Sequence, residues 1–199
     1  MDLKVGGKLE HSSMVRPCLG ERVSGDAVVI EPIDGGIFTA IIDVLGHGAE
    51  AHELALTIGN YLSRYASADI PGLMTRLHQH VRSSRGAVVG FLAIDAFAGR
   101  AVYAGTGNTV LRRFGTTETR LVSLDGVVGQ NMRTPRPQTL ELEAGDLIVL
   151  YTDGVRDRFT SDDYPALYHH APKDVARTIV ERFGKDYDDA ACIAVRYGT

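Results

Sequence analysis

The sequence is short of the features that would assign it to several common classes. Cysteine occurs only twice in 199 residues, as Cys18 and Cys192, too few for a disulfide framework and without metal-ligand spacing. No apolar run approaches the ~20 residues of a membrane span. The opening Met1-Asp2-Leu3-Lys4-Val5-Gly6-Gly7-Lys8 lacks the apolar core of a secretory leader. These absences predict a cytoplasmic protein with free thiols, a single bridge between distant segments being the alternative. Lys and Arg number 21 against 25 Asp and Glu, a net charge of −4. With no long basic block, no broad face for nucleic acid is indicated. Repeats, low-complexity tracts and linkers are missing as well. The stretch Gly126 to Gln138, with Pro135 and Pro137, is short enough to be a surface loop. A single domain over residues 1–199 is expected, and a chain this long can bury roughly 70% of its unfolded surface without a structural metal.

What the sequence does contain is strand and helix pattern in a particular order. Ala27-Val28-Val29-Ile30 and Ile37-Phe38-Thr39-Ala40-Ile41-Ile42 flank the turn signal Asp34-Gly35-Gly36 and predict a hairpin. The second run is almost continuously apolar, as in a strand covered on both faces. It leads into Asp43-Val44-Leu45-Gly46-His47-Gly48, whose glycines permit a tight loop. Leu54, Ile58, Tyr61, Leu62 and Tyr65 form a helical stripe, and Leu73, Leu77 and Val81 form a second one after Pro71. Strand character returns over Gly86 to Asp95, Arg100 to Ala104, Thr109 to Phe114, Thr119 to Leu124, Thr139 to Leu142 and Leu147 to Thr152. A helix carrying Val175, Ile179 and Phe183 follows Pro172, and Cys192 to Val195 makes the last strand. Strands joined as hairpins, with clustered helices, indicate α+β with antiparallel sheet rather than alternating βαβ.

Aspartates recur beside apolar strands. Asp26 opens Ala27-Val28, Asp43 closes Ile41-Ile42, Asp153 closes Leu150-Tyr151-Thr152, and Asp188-Asp189 precede Ala190-Ala191-Cys192. A carboxylate there is costly to desolvate unless it is paired or binds a cation. Four such groups brought together would raise one another's pKa. Two divalent ions supply the compensating charge, and hard oxygen donors without His or Cys favour Mg²⁺ or Mn²⁺. Singly, each residue has a plainer reading. Asp34 and Asp125 are turn formers beside glycine, Asp153-Gly154 fits a strand-ending turn, and Asp43 fits a helix-cap region. His78 and His80, two apart on a helix, face different ways, and His169-His170 reads as solvated surface. Gly105-Thr106-Gly107-Asn108 lacks the third glycine of a dinucleotide fingerprint and reads as a bulged turn. No G-x-S-x-G elbow, C-x₅-R loop or Walker lysine is present.

Taken in order, Ser24-Gly25-Asp26, Asp43-Val44-Leu45-Gly46-His47-Gly48, Gly145-Asp146 through Tyr151-Thr152-Asp153-Gly154-Val155, and Asp188-Asp189-Ala190-Ala191 resemble the motifs of the metal-dependent protein phosphatases (PPM), in their compact SpoIIE-like bacterial branch. The resemblance runs from about residue 20 to the C-terminus, and Tyr-Thr-Asp-Gly is its most specific element. It implies two stacked antiparallel sheets flanked by helices, an αββα sandwich. It also implies two Mn²⁺ or Mg²⁺ ions bridged by Asp43, with the Val44 carbonyl, Asp153 and Asp188 as further ligands and Asp26 acting through water. Asp189 would support them or exchange roles with Asp188. The implied reaction is attack of metal-activated water on phosphoserine or phosphothreonine, without a phospho-enzyme. Chain length, the lack of an appended sensor domain and Ser84-Arg85-Gly86-Ala87 point, within the branch, to stand-alone phosphatases acting on phosphorylated STAS-domain proteins of the stressosome.

Several positions depart from the pattern. Ala191 replaces a common threonine, and Gly25 replaces an acidic residue. Arg22 is the nearest candidate for binding phosphate, with a solvated loop arginine as the alternative. His47 offers a general acid for the leaving oxygen, but it has no counterpart in related loops and is read as positioning or incidental. A non-catalytic module of the same fold, docking a STAS or anti-sigma partner, is the alternative function. A metal-dependent nuclease fits the ligands but not the acidic charge.

Overall fold

The computed structural model describes residues 8–160 and 164–198; most of the opening segment read above for a leader, residues 1–7, lies outside them. Among the described residues, ten strands and three α-helices follow one another as β1 (Leu9–Arg16), β2 (Asp26–Ile33), β3 (Gly36–Val44), α1 (Ala49–Tyr65), α2 (Ile70–His80), β4 (Ala87–Asp95), β5 (Arg100–Thr106), β6 (Val110–Phe114), β7 (Thr119–Val122), β8 (Gln138–Glu141), β9 (Leu147–Tyr151), α3 (Pro172–Phe183) and β10 (Ala190–Tyr197). A short 3₁₀ helix, Pro165–His169, precedes α3. Among the described residues no helix is long and apolar enough to cross a membrane.

The strands form two five-stranded sheets, ordered β1-β10-β9-β6-β7 and β2-β3-β4-β5-β8, with every ladder antiparallel. Side chains alternate along a strand, and here both faces are covered, so the continuous apolar runs divide into two sets. On β3, Ile37 and Ile41 pack into the layer between the sheets, together with Leu92, Tyr103, Ile148, Leu150 and Ile193. Phe38, Ala40, Ile42 and Val44 face outward against Ile58, Leu62, Leu73 and Leu77 of α1 and α2. On the other sheet, Val149 and Tyr151 face Val175, Ile179 and Phe183 of α3. This is the αββα sandwich that the resemblance implies.

Local chemistry explains the helices. Pro71 stands in the first turn of α2, and the Asp69 side chain accepts a hydrogen bond from the Gly72 amide. The apolar stripe of α1 is realised by Ala51, Ala55, Ile58 and Leu62, whereas Tyr65, read as part of it, is exposed. Tyr65, in the last turn of α1, lies against the Tyr61 ring and the Arg64 guanidinium.

Two expectations are corrected. Residues 9–16, assigned no element from the sequence, form edge strand β1, paired along its whole length with β10. The stretch 126–138 is not wholly surface: Val128 is fully buried and bridges Ala87, its amide and carbonyl exchanging hydrogen bonds with that residue. Both cysteines are free and buried, as expected.

Candidate metal centre

Strand alternation aims the acidic residues. Val28 and Ile30 of β2 and Ile37 and Ile41 of β3 face the layer between the sheets, so Asp26 and Asp43 continue the same inward rows to one end of the sandwich. They are direct partners in the β2–β3 ladder. From the facing sheet, Asp153 follows the end of β9, and Asp188-Asp189 precede the start of β10. On the facing sheet the inner rows run through Ile148 and Leu150 to Thr152 and through Ile193 and Ala191 to Asp189, and Asp153 and Asp188 stand one residue away from those ends, in the turns at the same edge. A cavity of about 680 Å³ between Phe114, Glu143, Tyr168 and Arg196 lies at the other end of β9 and takes no part in this arrangement.

The electrostatics reflect that convergence. Burial, then the charges of Asp153, Asp188 and Asp189, push the Asp43 carboxyl up to about 8, with Lys185 opposing. Asp26 is raised well above the usual carboxylate range by burial and by Asp43, against a hydrogen bond from Thr152. Asp188 is also raised, by burial and Asp153, while Lys185 again opposes. The cluster is short of positive charge.

Each member is held differently. The Thr152 hydroxyl donates to Asp26 Oδ2 at 2.7 Å and accepts from the Ala191 amide at 3.1 Å, linking the two sheets. Asn108 Nδ2 donates to Asp153 Oδ2 at 2.7 Å. Asp189 is buried, with Oδ1 accepting from the Cys18 amide at 2.8 Å and Oδ2 from the Gly25 amide at 2.7 Å. Both of its oxygens are therefore committed to backbone, which separates it from the half-buried Asp188. Those two bonds make Asp189 pin the crossover from β1 to β2, while the charges of both Asp188 and Asp189 are felt at Asp43. Val44 ends β3 with its amide donating to the Gly25 carbonyl at 3.2 Å.

The loop after Asp43 is tied from both sides. The Leu45 amide donates to the Gly86 carbonyl at 3.1 Å, and His47 Nδ1 lies 2.9 Å from Glu21 Oε1. Gly48, not Asp43, is the N-cap of α1. Gly154 matters for a steric reason: a Cβ there would meet the Asp189 carbonyl oxygen at 1.7 Å, so only glycine lets the turn after Asp153 lie against the start of β10. Arg22 is exposed on the crossover. Asn108, Thr152 and Lys185 were given no role from the sequence. Thr152 was visible inside the Tyr-Thr-Asp-Gly run and Asn108 inside Gly105-Thr106-Gly107-Asn108, read only as a bulged turn, but Lys185 stands in no pattern that singles it out. His78 accepts from the Gly129 amide at 3.0 Å and His80 stacks on Tyr61, which settles both as structural.

Among the described residues no three His, Cys, Asp or Glu side chains already form a set that holds an ion. The chemistry of the donors nonetheless fits a hard divalent cation. They are carboxylates at a partly buried edge, raised by mutual repulsion, with Lys185 as the opposing charge felt by both Asp43 and Asp188.

Comparison with known proteins agrees with this frame. The family described as Stage II sporulation protein E (SpoIIE) matches residues 33–198. Phosphoserine phosphatase RsbX of Bacillus subtilis (strain 168) is 25% identical over 138 residues, covering 68% of this chain and 69% of that protein. A solved structure described as "The bacterial stressosome: a modular system that has been adapted to control secondary messenger signaling" superposes with a TM-score of 0.87 at 26% identity, covering 95% of this chain and 100% of its own. The crystal structure of RsbX in complex with magnesium gives 0.80 at 19% identity, covering 95% of each chain.

Proposed function

The chain belongs to the SpoIIE family of PPM phosphatases, and from that premise we propose a Mn²⁺- or Mg²⁺-dependent phosphatase that removes phosphate from serine or threonine of STAS-domain proteins in a bacterial stressosome. The observation that carries the reading is the facing set Asp26, Asp43, Asp153 and Asp188, drawn from both sheets to one edge and short of counter-charge. The substrate class rests on the similarity to RsbX and to the stressosome structure.

Asp43, Asp153, Asp188 and the Val44 carbonyl would hold two ions, with Asp26 acting through water. When bound, the ions supply positive charge toward the phosphoryl oxygens and activate water at neutral pH. The remaining work falls to the protein. Thr152 donates to Asp26, so that carboxylate keeps one oxygen for the site. Asn108 fixes the orientation of Asp153 from outside. Asp189 holds the Cys18 and Gly25 amides and so fixes the backbone that leads into Asp26. Water is the nucleophile in this scheme, in keeping with the absence of a serine or cysteine nucleophile signature from the sequence.

The test is hydrolysis of p-nitrophenyl phosphate and of a phosphorylated STAS-domain protein by the full chain, with Mn²⁺ and then with EDTA. Turnover of both that EDTA abolishes and Mn²⁺ restores is expected. Tight binding of the STAS protein with no turnover of either substrate would establish the non-catalytic module instead.

A further inference from the structure

A phosphatase that anchors its substrate through the phosphoryl group needs a cation reaching that group, and the sequence supplied only Arg22. Arg22 is exposed on the crossover, and three nearby arginines are bonded elsewhere. Arg16 Nη2 donates to the Lys185 carbonyl at 2.7 Å, Arg85 Nη2 to Glu50 Oε2 at 2.8 Å and Arg156 Nη1 to the Gly184 carbonyl at 2.9 Å. His47 faces Glu21.

Lys185 is placed differently, beside the carboxylate cluster itself. Its backbone is fixed on both sides, the amide donating to the Gly154 carbonyl at 2.8 Å and the carbonyl accepting from Arg16. That places it against the turn that follows Asp153. Its side chain is mostly covered, 23% exposed, with Nζ 3.9 Å from Asp188 Oδ2 and 5.9 Å from the centre of the Tyr187 ring. At 3.9 Å the ammonium is beyond hydrogen-bond distance of the carboxylate. It is therefore held at the edge of the cluster with its donors uncommitted to Asp188. Its charge is felt at Asp43 as well as at Asp188.

Resting on the phosphatase reading, we propose that Lys185 is the residue that binds the phosphoryl group of the substrate, taking the place expected of Arg22. A flexible stem on a fixed backbone delivers a point charge to phosphoryl oxygens near Asp153 and Asp188, as lysine does at other phosphate sites. The same residue balances the carboxylates when no phosphate is present.

The test compares wild type, Lys185→Met and Lys185→Arg in four measurements: KM for p-nitrophenyl phosphate at saturating Mn²⁺, inhibition by inorganic phosphate, Mn²⁺ affinity by calorimetry, and melting temperature. Lys185→Met is expected to raise KM and weaken phosphate inhibition by about tenfold each, the size of one charge-assisted hydrogen bond. It should bind Mn²⁺ as tightly as wild type or more tightly, because a competing cation is gone. Lys185→Arg should restore phosphate affinity. Unchanged KM and phosphate inhibition in Lys185→Met would overturn the proposal. So would a loss of both that tracks weakened Mn²⁺ binding or a lowered melting temperature, since that pattern marks a structural role. If wild type fails to turn over p-nitrophenyl phosphate, the phosphatase reading falls, and titration of inorganic phosphate onto the Mn²⁺-loaded wild type and Lys185→Met proteins still decides the role of Lys185.

Discussion

At the scale of the residue, the centre is defined by carboxylates that differ in what they touch. Asp43 is raised to about 8 from an ordinary 3.8 by burial and by the neighbouring carboxylates. A carboxyl raised in the folded state binds its proton more tightly there than in the unfolded chain, so its contribution to stability is full below about 3.8 and is lost as pH rises through about 8. Metal-free protein should therefore melt at progressively lower temperature between pH 5 and 9 in EDTA. Asp43→Asn should lessen that dependence, leaving the part that Asp26 and Asp188 contribute, melt no lower than wild type at pH 8, and show only background phosphatase activity with Mn²⁺. A pH dependence as steep as wild type in Asp43→Asn would locate the titrating groups elsewhere. Asn108 makes a different prediction because it bonds Asp153, a proposed ligand, from outside the cluster. Asn108→Ala should weaken Mn²⁺ affinity by about tenfold, the usual effect of removing a hydrogen-bond partner of a ligand, with little change in melting temperature. Calorimetric titration beside a thermal melt separates the two effects.

At the scale of the element, the strand ends decide where the chemistry stands. β9 runs straight into Asp153-Gly154, and Gly154 lies against the Asp189 carbonyl. Gly154→Ala must push those backbones apart, and is expected to cost about 3 kcal/mol and to lower Mn²⁺ affinity with it. Equilibrium unfolding in urea reads the first and calorimetry the second; wild-type values in both would show that the turn has room to spare. The same elements show how much the sequence discloses. The hairpin β2–β3, the Pro71 helix and strands β4, β9 and β10 were legible because their apolar runs or turn residues act locally. β1 was not: Glu10, His11, Ser12 and Ser13 interrupt its pattern, and its strand character comes from pairing with β10 across the length of the chain. Val128 was hidden for a like reason, since its burial depends on Ala87. Of the centre, the aspartates beside strands were legible as a set. The bonding of Asp189 was not, because it depends on which amides, Cys18 and Gly25, fold back to meet it.

At the scale of the whole molecule, the two sheets share one interior and meet at the carboxylate edge. Ions bound there by Asp26 and Asp43 on one sheet and Asp153 and Asp188 on the other would add stability by mass action. Mn²⁺ at about a hundred times its dissociation constant adds about 2.7 kcal/mol, which for a chain of this size is a rise in melting temperature of about 5–10 °C. EDTA should reverse it, and Asp43→Asn should not show it; an unchanged melting curve would mean that the ions do not bind across the sheets. The crossover from β1 to β2 has a consequence of its own. It passes from one sheet to the other with Leu19 and Gly20 at its outside, while β1 is held by its full ladder to β10 and β2 by its full ladder to β3. Cut at that point, the chain becomes a short peptide and a large remainder with a vacant sheet edge, two pieces whose reassembly would rebuild the Asp189 clamp and could be made to depend on whatever brings them together.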